Sequence, residues 1–194
     1  MKVSKVTKMH LLRPTKQRIK GYALDFNRRN AKTENAIRVL IEKFPDNKSY
    51  EGVLLKSTVI NVLYYTQIKA IVPVAEHILK LDIDDDLCRG VPEVVDRIAR
   101  VTISGKQRIN YSFATKYCSF HSPDAYPIYD KYVDKILTEY QKQDGFAQYY
   151  RAELKNYGRF KQILGDFRHF YGLADVSLKH LDNFLWGYGK KHFA

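Results

Sequence analysis

Pro123 and Pro127 divide the middle of this chain and fix where one helix must stop and the next begin. A proline ring bars a helix interior and pushes the residue before it towards extended backbone. Upstream, Ile109, Phe113, Tyr117 and Phe120 recur at spacings of four, four and three, which predicts one apolar face of a helix. Downstream, Val133, Ile136, Leu137 and Tyr140 form the inner face of a second helix that opens at Asp130. The expected product is a carboxylate at a helix mouth, delivered by a stiffened loop, with Lys116 and His121 shortly before it.

The same helical spacing recurs along the chain. Thr33 is expected to cap a helix that buries Ile37, Leu40, Ile41 and Phe44 and ends at Pro45. Asn47 or Ser49 opens another, through about Tyr65, whose apolar residues surround most of its circumference. It should therefore be central, with Lys56 and Asn61 as its polar exceptions. A helix from Gln67 to Leu81 follows, with Pro73 marking a kink or the true first turn. Val94, Val95, Ile98 and Ala99 carry a helix that begins near Pro92. After Asp144-Gly145, helices are expected over 146–156 and 158–171, and Ser177 caps a last one that stops near Gly187 and Gly189. No alternation of period two persists, so the fold class is all-α. Residues 25–194 read as a single α-helical domain, in one body or two lobes, after a basic segment over 1–24.

That leading segment holds seven Lys or Arg and no acid, and the whole chain carries a net charge of +12. Such a balance favours a polyanionic partner, nucleic acid before membrane. No apolar run reaches the length of a membrane span. Cys88 and Cys118 make neither a Cys-x-x-Cys pair nor a disulfide framework, which fits a reducing, intracellular compartment such as the cytoplasm. Asp82, Asp84 and Asp86 with Glu93 mimic a calcium loop. Leu87 stands where that loop needs glycine, so the segment reads as a solvated loop. The histidines lack paired metal spacing, and neither a metal nor another cofactor is expected. Nothing in the sequence fixes an oligomeric state, and a monomer is assumed.

Pro127-Ile-Tyr-Asp130, following a lysine-bearing helix, resembles the helix-hairpin-helix DNA glycosylases. In that family a proline-containing loop brings an essential aspartate to the start of a helix, beyond a glycine-rich hairpin. Tyr50 to Ile68 resembles the family's early buried helix, which ends in a Gln-containing turn near the base pocket. Together these features span residues 50–140. The family hairpin usually reads Leu-Pro-Gly-Val-Gly, whereas Val101 to Arg108 here contains only Gly105, and the four-cysteine iron–sulfur motif is missing.

The resemblance implies a two-lobed helical bundle that flips an altered base out of duplex DNA and cuts its glycosidic bond. Asp130 would stabilise the sugar cation and orient water. Lys116, or Lys106 just after Gly105, would form a Schiff base if strand cleavage follows. Tyr64, Tyr65 and Gln67 would line the base pocket, and Ser104, Gly105, Lys106 and Arg108 would hold a DNA phosphate. The plainer alternative leaves Asp130 as a helix cap alone. A helical nucleic-acid-binding protein without catalysis would share the same charge and scaffold.

Overall fold

The structure is a computed structural model that describes residues 10–194. Lys2, Lys5 and Lys8 of the basic lead lie outside the described residues. Helix α1 spans Lys16–Lys43, with the Thr15 hydroxyl accepting from Arg18 N–H as its cap. It runs straight through Thr33, where a helix start was expected, and across the boundary drawn at residue 24. Ile19, Tyr22, Ala23 and Phe26 explain this, because their spacing gives the first half of α1 its own inner stripe. Leu11, just before the helix, is fully buried.

Ser49 caps α2 (Tyr50–Leu63), and α3 (Ile71–Lys80) holds Pro73 in its first turn, where no helical N–H is lost. Helix α2 buries Val53 and Ile60 as expected but departs from its expected pattern elsewhere. Leu55 and Val62 face water, while Lys56 is fully buried. The Lys56 ammonium donates to the Phe44 carbonyl at 3.1 Å, the Asp46 carbonyl at 2.5 Å and Asn47 Oδ1 at 2.9 Å. The Tyr117 hydroxyl also donates to Asn47 Oδ1, and the Asn47 amide side chain donates to Asp84 at 2.6 Å. One lysine thus ties the end of α1 to α2, and through Asn47 to two further elements.

The acidic stretch is not a solvated loop but a short helix, α4 (Asp84–Arg89), followed by α5 (Glu93–Ala99). Two of the three carboxylates of α4 are engaged: Asp84 by Asn47, and Asp86 by Arg89 and Arg97.

The all-α expectation fails between Arg100 and Ile109. There β1 (Arg100–Ile103) and β2 (Lys106–Ile109) form an antiparallel pair, with Arg100 opposite Ile109 and Ile103 opposite Lys106. Ser104 and Gly105 make the two-residue turn with φ of 49° and 73°, both left-handed, as a primed hairpin turn demands. Gly105 supplies that conformation without a Cβ clash. Ile109 therefore lies in a strand and is exposed, rather than on the helix face drawn through it.

The chain continues into α6 (Tyr111–His121) and, after the proline loop, α7 (Lys131–Asp144). Where a helix over 146–156 was expected, only a 3-10 turn forms at Arg151–Lys155. Helix α8 spans Tyr157–Phe170, and α9 runs from Leu178 to Phe193 without stopping at its glycines. Those glycines serve close packing. A Cβ on Gly189 would sit 2.7 Å from the Tyr132 carbonyl oxygen, and one on Gly187 would sit 2.9 Å from the Tyr22 ring. Helix α9 thereby presses against both α1 and α7. Among the described residues the buried apolar side chains join in one cluster, which takes in residues of every α-helix. No helix of the described residues is long and apolar enough to cross a membrane.

Candidate functional site

Asp130 is the N-cap of α7, as its place after Pro127 predicted. Its Oδ1 accepts from the backbone N–H of Tyr132 at 2.8 Å and of Val133 at 2.9 Å. Its Oδ2 has no hydrogen-bond partner among the described residues. One oxygen therefore fixes the carboxylate and the other is left without a protein partner among the described residues. The loop that delivers it is clamped on both sides. The Tyr157 hydroxyl donates to the Pro127 carbonyl at 2.9 Å, and Tyr129 N–H donates to Thr115 Oγ1 at 3.2 Å. The Tyr129 hydroxyl donates to buried Asp134 at 2.8 Å, and Arg151 neutralises that carboxylate.

Lys116 sits in the middle of α6 and is only 6% exposed. Its ammonium donates to the Ser112 hydroxyl at 2.5 Å. Burial pushes its pKa down, and the nearby charges of Asp130 and Asp182 offset part of that shift. The charge of Asp130 reaches Lys116 without a direct ion pair, because Lys116 bonds only to Ser112 while the proline loop brings the mouth of α7 back towards α6.

Asp182, on α9, completes the group. Its carboxyl keeps some access to water but is packed round by protein, with Pro127, Ile128 and Leu181 lining the apolar crevice beside it. Burial raises its pKa to about 7. Lys179 and Lys116 oppose this, while Asp130 and Glu34 reinforce it. Glu34 reaches in from α1, pairs with Lys179 at 2.9 Å and accepts from the Tyr64 hydroxyl. Tyr64 stacks edge-on against Phe120, and the Lys179 ammonium lies over the Phe120 ring at 5.5 Å. The charges of an amine and two carboxyls, with an aromatic wall near them, thus come under each other's influence from α1, α2, α6, α7 and α9.

The structure separates the sequence candidates. Lys106 and Arg108 stand exposed on β2, beside Ser104 and Gly105 at the turn, and the Asp130 group acts on Lys116 rather than Lys106. Tyr64 belongs to the wall, whereas Tyr65 and Gln67 face solvent on a loop where both take positive φ. The Asn61 side chain holds that loop, accepting from Ile68 N–H at 2.9 Å and the Thr66 hydroxyl at 2.7 Å. His121 stays out of the site: burial and the Lys56 charge push its pKa down to about 3. Asp182, Glu34 and Lys179 were not among the sequence candidates. No local motif marks them, and only the packing of α1 and α9 brings them in.

Asp182 gives the fold a pH dependence of known sign. An unfolded aspartate titrates near 4, the folded one near 7. Between these values the folded state holds the extra proton, so this group's contribution is fully present below pH ~4 and is lost as pH rises through ~7. Replacing Asp182 with Asn should flatten the fall in melting temperature across that window and raise stability near neutrality. Thermal melts at a series of pH values measure both. An unchanged slope would place the titrating group elsewhere.

Residues 18–125 match the model of the HI_0787_N family, described as an N-terminal domain. That match takes in Lys116, Tyr64 and the β-hairpin and ends before Asp130. An uncharacterized protein of Haemophilus influenzae is 46% identical over 149 residues, which is 76% of this chain and 71% of that protein. No solved structure matches the chain. With a family match over more than half its length and a relative this similar, the chain belongs to the HI_0787_N family.

Proposed function

We propose that the group formed by Lys116, Asp130 and Asp182 is the reaction centre of a DNA base-excision enzyme, built as a divergent helix-hairpin-helix glycosylase that opens to admit the base. The observation that carries this reading is a buried amine on one helix within reach of the charge of a half-free carboxylate at the mouth of the next. Cleaving an N-glycosidic bond develops positive charge on the sugar, and a fixed carboxylate such as Asp130 stabilises it. Asp182, holding its proton up to about pH 7, can give it to the departing base. Lys116, its basicity reduced by burial, can release one ammonium proton to water and then attack the sugar C1′ with the freed lone pair as the C1′–N bond breaks. The bonding electrons leave with the base. The net charge of +12 supplies the attraction to DNA.

The test uses duplexes that each carry one altered base, scored for free base and for adducts trapped by borohydride. The expected result is base release from at least one duplex, with an adduct that survives in Lys106→Gln and disappears in Lys116→Gln. Release from no duplex, together with salt-sensitive binding to all of them, would move the protein to the non-catalytic nucleic-acid-binding reading. One feature favours that second reading. The segment in the place of the family's glycine-rich hairpin is a pair of β-strands with exposed Lys106 and Arg108, suited to phosphate contact alone.

A further inference from the structure

Helices α1 and α9 leave an open cleft of about 750 Å³ along their line of contact. This size lies within the range of small-molecule sites. Its rim carries Arg18, Arg29, Lys190 and Lys191, against the single carboxylate of Asp25, which Arg28 and Arg29 each approach at 3.0 Å. Its wall is aromatic. Phe26 meets Trp186 edge-on at 5.6 Å, and the Lys190 ammonium lies 4.8 Å from the centre of the Trp186 ring.

Asn183 supplies an independent indication. It follows Asp182 on α9 but lines this cleft, is only 2% exposed, and its buried Nδ2 donates to nothing among the described residues. Buried side-chain donors in folded proteins are nearly always paired, so an unpaired amide on a residue that lines a cleft leaves a place for an acceptor once the side chain turns to face it. Cationic rim, aromatic wall and one buried donor are the three elements that recognise a phosphate attached to a planar ring.

We propose that the α1–α9 cleft binds a nucleotide unit, with its phosphate on the rim cations, its base against Trp186 and an acceptor oxygen on Asn183. The unit is either a free mononucleotide or one residue of a strand, since both present the same chemistry. The site is separate from the Lys116 group and does not require that group to be catalytic.

Trp186 is the only tryptophan in the chain, so selectively excited indole fluorescence reads this cleft alone. The probes are adenosine 5′-monophosphate, adenosine and a short oligodeoxythymidylate. A phosphate-bearing probe should change the fluorescence saturably, and adenosine should bind about tenfold or more weakly than its monophosphate. Lys190→Ala and Asn183→Leu should each weaken binding about tenfold. Gly21→Leu provides a control against misfolding. Gly21 lines the cleft and its Cβ direction is open for at least 4 Å, so leucine there fills the cleft and leaves the core intact. Saturation by the monophosphate assigns a free-nucleotide site. Saturation by the oligonucleotide alone assigns a strand-binding site. Either supports the proposal. The absence of saturation with every probe, or affinities that Gly21→Leu and Lys190→Ala leave unchanged, overturns it.

Discussion

Asparagine in place of Asp130 should cut base release by about a thousandfold while leaving the protein folded. The two roles of this residue separate cleanly in that variant. Asparagine caps a helix as well as aspartate does, and its side-chain oxygen can still accept from Tyr132 and Val133 N–H. What is lost is the charge. Its attraction to the N-terminus of α7 is worth about 0.3–1 kcal/mol, or a few degrees of melting temperature at this chain length. Its stabilisation of a sugar cation, once bound DNA excludes water from the site, is worth several times more. Base-release rates and melting curves on the same preparation decide the matter. A large rate loss with a small thermal shift identifies the centre of the reaction. Unchanged release would reduce Asp130 to a cap.

Methionine in place of Lys56 should cost about 3 kcal/mol, read as a fall in melting temperature of roughly 10 °C. Replacing a buried charge with an apolar group of similar size is often tolerated, because burying the charge was itself expensive. Here the acceptors decide the outcome. The Phe44 and Asp46 carbonyls receive the ammonium, and without it two backbone oxygens at the α1–α2 connection lose their partner. Asn47 Oδ1 keeps the Tyr117 hydroxyl, so that branch of the network survives.

The same variant carries a pH signature. Burial lowers the Lys56 pKa to about 8, whereas an unfolded lysine holds its proton to about 10.4. Between these values the unfolded state binds more protons, so this group's contribution to stability increases with pH, and methionine removes that slope. Buried tyrosines such as Tyr111 and Tyr140, whose pKa values burial raises, act in the opposite direction only above about pH 10. Lys116 and Lys161, whose pKa values burial also lowers, add slopes of the same sign, so the difference between variant and wild-type melts from pH 7 to 10 isolates Lys56. Equal stability in the variant would show that water replaces the ammonium at both carbonyls.

Much of the secondary structure was legible because its causes are local. Ser49, Asp130 and Ser177 each cap the helix expected of them, through bonds that reach only two or three residues ahead. Pro73, Pro123 and Pro127 act through their own ring geometry, and each lies where a helix begins or is absent. Two signals were present and outweighed. Ile19, Tyr22, Ala23 and Phe26 carry the helical spacing that extends α1, and Ser104-Gly105 between β-branched strands is a hairpin turn. Gly187 and Gly189 read locally as stops and prove to be contact points. A helix tolerates glycine where a neighbouring backbone leaves no room for a Cβ.

The sequence by itself determined that this is a mostly helical, strongly basic chain with a carboxylate at the mouth of α7 and a lysine on the helix before it. Those features depend on spacing, capping and charge, which act within a few residues or over the whole composition. Only the tertiary structure decided that Lys116 and not Lys106 answers to Asp130, that Asp182 joins them from α9, and that Lys56 lies inside while Val62 lies outside. The reason is distance along the chain. Burial and mutual charge depend on which helices meet, and no local pattern encodes how α9 settles between α1 and α7.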